Sequence, residues 1–208
     1  ALKVLSAPEA REPEVYERLQ TLADVERGIA HPNLERLYGC GRLPDDTPYL
    51  VCEWLPLPSL ASVLAVEGGV DRGRALQLIE AVAGALAALH ARGLVHGDVR
   101  PEHVLVEPGV GGFDRVVLID AGVDAALDTL TPRSLTGALA YRAPERLDGA
   151  TATATADIYA LGVLAWQLLT GRLPFRADDL RATRVAVDPA ERLRWLHRNA
   201  LPLRPSLA

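Results

Sequence analysis

Methionine is absent from the 208 residues, cysteine occurs only twice, and aromatic side chains make up 5% of the chain. Cys40 and Cys52 have no second pair and no histidine cluster beside them, so neither a disulfide framework nor a zinc site is supported. Such sparse cysteine usage fits a reducing compartment, and a cytoplasmic location is expected. Basic charge is not in excess either: 22 Lys and Arg stand against 27 Asp and Glu, a formal charge of −5, with no basic patch visible. That argues against nucleic acid and anionic membrane surfaces as partners. Long apolar runs are also missing. Ile158 to Leu169 is too short to cross a bilayer and contains Gln167, and no basic leader precedes a hydrophobic segment at the start. The opening Ala1-Leu2-Lys3-Val4-Leu5 reads like the middle of a strand, and a fragment is expected.

What is present is ample material for a core: 49% of residues are hydrophobic, enough for one domain or two small lobes. Ala1 to Leu5 alternates as a strand does, and Tyr49 to Trp54 reads as another, bounded by Asp45, Asp46 and Pro48. Between them Val15, Leu19, Leu22, Val25 and Ile29 fall at three- and four-residue steps, which predicts a helix over 15–29, ending before His31-Pro32-Asn33. After Pro56 and Pro58 the pattern turns helical. Ser59 to Ala65 comes first, then Arg74 to Ala91 with Asp71 as cap and Gly93 as terminator. Asp157 to Thr170 is apolar nearly all round and predicts a helix buried on every side.

The chemistry is concentrated in Val95-His96-Gly97-Asp98-Val99-Arg100-Pro101-Glu102-His103, where an apolar strand delivers a His and an Asp into a turn stiffened by proline. Twenty-two residues past Asp98, a second isolated carboxylate, Asp120, ends the apolar run Val116 to Ile119 and is followed by Ala121-Gly122. Two aspartates at strand ends suit a metal-phosphate site in which one carboxylate holds Mg²⁺ and the other orients an attacking hydroxyl.

Taken in order, these pieces resemble the eukaryotic-type protein serine/threonine kinase family, across nearly the whole chain. Ala1-Leu2-Lys3 is similar to the strand whose lysine grips nucleotide phosphates, and His31-Pro32-Asn33-Leu34 to the turn after the regulatory helix. Tyr49 to Leu55 resembles the hinge, with Cys52 as gatekeeper and the backbone of Glu53 and Leu55 facing adenine. His96-Gly97-Asp98 stands for the catalytic loop, Asp120-Ala121-Gly122 for the metal-binding motif, and Ala143-Pro144-Glu145 for the end of the activation segment. Asp157 to Gly162 and Leu169 to Phe175 match a buried helix and its exit.

The resemblance implies an α+β, bilobal protein-kinase-like fold. A partial small β-rich lobe would occupy 1–54, its first strands and glycine-rich loop missing, and a mostly helical lobe, truncated in turn, 55–208. It implies ATP and Mg²⁺ in the cleft between. Ala1, Lys3, Cys52, Glu53, Leu55 and Leu105 would contact nucleotide, Asp98 and Arg100 would be catalytic, and Asp120 and His103 would hold metal. Arg100, two residues after Asp98, implies Ser or Thr hydroxyls as acceptors. The implied partners are ATP and a protein substrate or regulatory protein.

Several positions depart from the family pattern. His103 stands where an asparagine would bind the second metal, and imidazole is a softer ligand than an amide oxygen. Hydrogen bonding of His103 to the loop backbone is an equal reading. Gly97 replaces the arginine that would read a phosphate on the activation segment, so switching by Arg-phosphate pairing is not expected. Ala121 replaces a phenylalanine, which predicts a looser metal motif, and Ala138 replaces a threonine whose hydroxyl would bond the catalytic aspartate. Leu22 falls where a glutamate would pair with Lys3. Glu26, one turn later, could substitute if the helix shifted, and otherwise reads as an unpartnered surface residue. Arg204 is too close in sequence to serve as the late arginine that pairs with Glu145.

Three functions follow: an ATP-dependent protein kinase; a pseudokinase that binds nucleotide or scaffolds, motivated by the five departures; and a small-molecule phosphotransferase of the aminoglycoside type, whose loop is similar. Ala143-Pro144-Glu145 and the Asp157 helix argue against the third.

Overall fold

A computed structural model describes residues 1–6, 8–109, 114–127, 140–147 and 149–174. Ala138, Phe175, Arg204 and the rest of the chain after Pro174 lie outside the described residues.

The first part is a three-stranded antiparallel sheet with one helix. Strands β1 (Leu2–Val4) and β2 (Leu37–Arg42) flank β3 (Pro48–Cys52), and α1 (Pro13–Glu26) packs on the sheet. In the register, Lys3 faces Leu50. Leu50 and Cys52 are buried with Val15, Leu19 and Leu22, so this face forms the small core, whereas Leu2 and Val4 point outward at 56% and 45% exposure. The strand expected over Tyr49 to Trp54 is shifted toward the N-terminus. It begins at Pro48, since proline is tolerated at the first position of a strand, and stops at Cys52. Strand β2 does not show in the sequence pattern, because Gly39 and Gly41 break the apolar alternation. The helix expected over 15–29 ends at Glu26, and Val25 and Ile29 are only half-buried; its buried stripe continues instead through Ala23 and Glu26.

The second part is helical. Helix α2 (Leu60–Glu67) is capped by Ser59, whose hydroxyl accepts the Ser62 amide, and α3 (Arg72–His90) by Asp71, which accepts the Arg74 amide at 3.0 Å. Strands β4 (Val104–Glu107) and β5 (Arg115–Leu118) form a hairpin on α3. Short helices α4 (Val123–Leu127) and α5 (Pro144–Leu147) follow, then α6 (Ala154–Thr170), closed by Gly171 in the left-handed conformation. Leu78, Val82, Leu86, Leu89, Leu164 and Leu168 build the core between α3 and α6. Helix α6 is not buried on every side as its composition predicts: Ile158 is 55% exposed, and the buried stripe runs through Ala156, Asp157, Ala160, Leu164 and Leu168. Among the described residues no helix is long and apolar enough to cross a membrane.

Candidate functional site

The two parts meet at a cation. The Lys3 ammonium lies 2.7 Å from Asp120 Oδ1 and 2.6 Å from Glu35 Oε2. Strand pairing to β3 turns Lys3 inward, and Asp120, just beyond β5, adopts a left-handed backbone with φ 63° that aims its carboxylate into the cleft. Burial opposes the Lys3 charge, and the Glu35 and Asp120 carboxylates more than offset it, so the ammonium is held above its usual pKa.

Glu35 is a site residue that the sequence reading misses, and nothing in helical spacing marks it. Its position comes from backbone bonds: the Glu35 amide donates to Leu118 O at 2.9 Å and the Leu118 amide to Asn33 O at 2.8 Å. Glu26, offered by the sequence as a surface residue or as a substitute partner for Lys3, is neither. It is 5% exposed, and its carboxylate makes no ion pair or hydrogen bond among the described residues. Burial, aided by Glu35, pushes its carboxyl up to about 8. Leu22, at the position expected for the pairing glutamate, packs against Gly122.

The loop after Leu94 hangs from one buried carboxylate. Asp157, 1% exposed, accepts the amides of His96 and Gly97 at 2.8 Å each and pairs with His90 Nε2 at 2.8 Å. His96 is fully buried, and burial pulls its pKa down to about 4, so the ring is neutral at pH 7. Its Nδ1 accepts the Asp98 amide and its Nε2 donates to Ile119 O at 2.9 Å, which ties the Asp98 loop to the approach of Asp120. Gly97 sits at φ 87°, and a Cβ there would stand 3.1 Å from the Ala125 amide nitrogen, so an arginine would be strained.

His103 joins the two aspartates. Its Nδ1 donates to Asp98 O at 2.8 Å, which leaves an Nε2 lone pair 3.3 Å from Arg100 Nη2 and 3.9 Å from Asp120 Oδ2. Backbone hydrogen bonding and a ligand role are therefore compatible through different ring nitrogens. Arg100 Nε lies 3.0 Å from Asp98 Oδ2, an ion pair whose angle is poor for a hydrogen bond. Burial raises the Asp98 carboxyl above its usual range, while His103 and Arg100 pull the other way.

The remaining expected contacts frame this cluster. The Cys52 amide donates to Ala1 O at 2.9 Å, and burial pushes the Cys52 thiol up to about 12, which leaves a small, neutral side chain there. Glu53 spends its amide on Arg36 O at 2.8 Å, whereas the Leu55 backbone has no hydrogen-bond partner among the described residues. Leu105 is half-buried between the fully buried Val104 and Val106, and so turns to the opposite face of β4. Asp98 also lines a pocket together with Gly97, Tyr141, Arg142, Arg146 and Asp157. Arg142 and Arg146 both reach Asp124 Oδ2 at 3.1 Å, cations to which the sequence reading assigns no role.

No group of three metal-ligating side chains gathers among the described residues. Mg²⁺ does not require one, since it is commonly held by one or two carboxylates together with phosphates and water. Asp120 would supply one such hard oxygen, so the residues present fit an ion shared with a phosphate ligand.

Residues 1–204 match the family model for the protein kinase domain. The chain is 32% identical over 182 residues to the serine/threonine-protein kinase PrkC of Bacillus subtilis, and 34% identical over 190 residues to the serine/threonine-protein kinase Pkn1 of Myxococcus xanthus. These alignments cover 86% and 89% of this chain and 27% of each relative, so the chain spans about a quarter of their length. The crystal structure of a mutant form of the Mycobacterium tuberculosis PknI kinase domain superposes with a TM-score of 0.68 at 27% identity, covering 91% of this chain and 77% of that one.

Proposed function

The chain belongs to the protein kinase domain family, and on that footing we propose that it transfers the γ-phosphate of ATP to a serine or threonine hydroxyl of a protein. The single observation that carries this reading is the contact of Lys3 with Asp120 at 2.7 Å, which sets a phosphate-binding cation beside a hard oxygen ligand. In the proposed arrangement residues 1–54 and 55–208 act as two lobes. Ala1, Cys52, Glu53, Leu55 and Leu105 surround adenine, and Lys3 takes the phosphates in place of Asp120. Asp120 holds Mg²⁺, with His103 Nε2 as the nearby lone pair for a second position. When bound, the metal neutralises charge on the phosphates.

The rest is positioning. Asp98 accepts the acceptor hydroxyl's proton as its oxygen bonds to the γ-phosphorus and the bond to the β–γ bridging oxygen breaks, releasing ADP; burial raises the Asp98 pKa, the direction that suits a general base. Arg100, fixed beside Asp98, steadies the transferring phosphate. The pocket that Asp98 lines, with Tyr141 and Arg142, is where the acceptor segment would lie.

A second reading, nucleotide binding without turnover, is favoured by one observation: Arg100 Nη2 stands 3.3 Å from His103 Nε2, the nitrogen that a second metal would need. Incubation of the full chain with γ-labelled ATP, Mg²⁺ and a generic protein separates the two. Transfer lost in Asp98→Asn supports the kinase; binding of ATP with no transfer supports the second reading.

A further inference from the structure

We propose that Glu35, and no acid of helix α1, is the residue that positions Lys3 for nucleotide. This deepens the reading of the cleft as an ATP site and rests on it.

The Lys3 ammonium has three N–H donors, and two of them are committed to Glu35 Oε2 and Asp120 Oδ1. When a phosphate takes the ammonium, the Asp120 contact has to give way, because Asp120 then turns to the metal. Glu35 is the partner that remains. Without it, a flexible four-carbon stem on β1 would carry an unrestrained charge.

The anchoring of Glu35 sets it apart from any helix residue. Its amide is bonded to Leu118 O, Leu34 bridges Leu118, and the Asn33 side-chain amide donates to Val116 O at 2.8 Å. On its other side Arg36 O receives the Glu53 amide. The segment 33–36 is thus fastened to the strand that leads into Asp120 and to the residue after Cys52. Glu35 Oε2 also receives the Asp120 amide at 3.4 Å, so one carboxylate oxygen addresses both the lysine and the backbone of the metal residue. Helix α1 offers nothing equivalent: Leu22 is apolar, and Glu26 makes no bond to Lys3. Among the described residues, the bonds that hold Lys3 beside Asp120 thus come from the 33–36 segment and not from α1.

The test compares Glu35→Gln, Glu35→Asp and Glu26→Gln in the full chain, with near-ultraviolet circular dichroism to verify folding. Glu35→Gln should lower kcat by roughly tenfold to a hundredfold, the range expected for misplacement of about an ångström, with a smaller change in KM for ATP. Glu35→Asp should recover part of the rate, and Glu26→Gln should stay within about twofold of the parent. Acylation of the Lys3 amine, read by peptide mass spectrometry without nucleotide, supplies a measure that does not need turnover. It should speed up in Glu35→Gln and hold in Glu26→Gln. Parent activity absent while Lys3 acylation follows Glu35 would refute the kinase reading and leave the positioning role standing. Acylation or kcat that follows Glu26 and ignores Glu35 overturns the inference.

Discussion

The carboxylate of Asp157, one turn into α6, accepts the backbone amide of His96 at 2.8 Å across 61 residues of chain. The neighbouring Gly97 amide and His90 Nε2 complete the carboxylate, so the helix and the loop that presents Asp98 are one unit. Asp157→Asn keeps the volume and points an N–H₂ group at one of the two buried amides. A lost acceptor leaves a buried donor unsatisfied, at about 1–3 kcal/mol per group. We expect a loss of about 2–4 kcal/mol in urea unfolding, and a fall in Tm of roughly 5–10 °C for a chain of this length.

Glu26 predicts a pH dependence. Its folded carboxyl lies near 8, above its unfolded value of 4.5, so the folded state binds more protons between those limits. Stability from this group therefore falls as pH rises from about 4.5 to about 8. Glu26→Gln cannot ionise and removes that fall. The variant should match the parent near pH 4.5 and exceed it at pH 8 by roughly 1–3 kcal/mol in denaturant titrations. A variant less stable at both pH values would show that Glu26 makes a contact that matters more than its desolvation.

Gly122, two residues after Asp120, sits at φ 72°, and a Cβ there would lie 2.4 Å from Leu22 Cδ1. Gly122→Ala should cost about 1–3 kcal/mol through backbone strain and displace Leu22 on α1. Leu22→Ala in the same chain opens the space but leaves the φ problem, so it should rescue the steric share alone. Full rescue by Leu22→Ala, in urea midpoints corrected for the single variant, would mean that the backbone is unstrained.

How much of this is legible in the sequence depends on whether a signal is local. Caps and terminators are: Asp71 and Gly93 act over three or four residues, and the expected helices 59–65 and 74–91 form with their ends shifted by two residues or fewer, Ser59 turning out to be the cap of the first and not its first residue. Strand β2 is not, because Gly41 is present for a neighbour and not for its own strand. A Cβ at Gly41 would lie 2.4 Å from the Tyr49 hydroxyl of β3, a constraint visible only after the strands pair. The site divides in the same way. Lys3, Asp98 and Asp120 stand in motifs of contiguous residues, and the structure places Lys3 2.7 Å from Asp120. Glu35 follows from a register between residues 33–35 and 116–118 that no local periodicity encodes. Glu26 reads as a surface residue because a glutamate without a partner is ordinarily exposed; four residues after Leu22, it instead continues the buried face of α1 and is 5% exposed.

Calorimetric titration of ATP, in excess Mg²⁺, into the full chain and into Lys3→Ala tests the central claim most directly. If Lys3 and Asp120 together form a nucleotide site, the parent gives saturable one-to-one heats and Lys3→Ala loses most of the affinity. Saturable heats of equal affinity in both, or none in the parent, would contradict it.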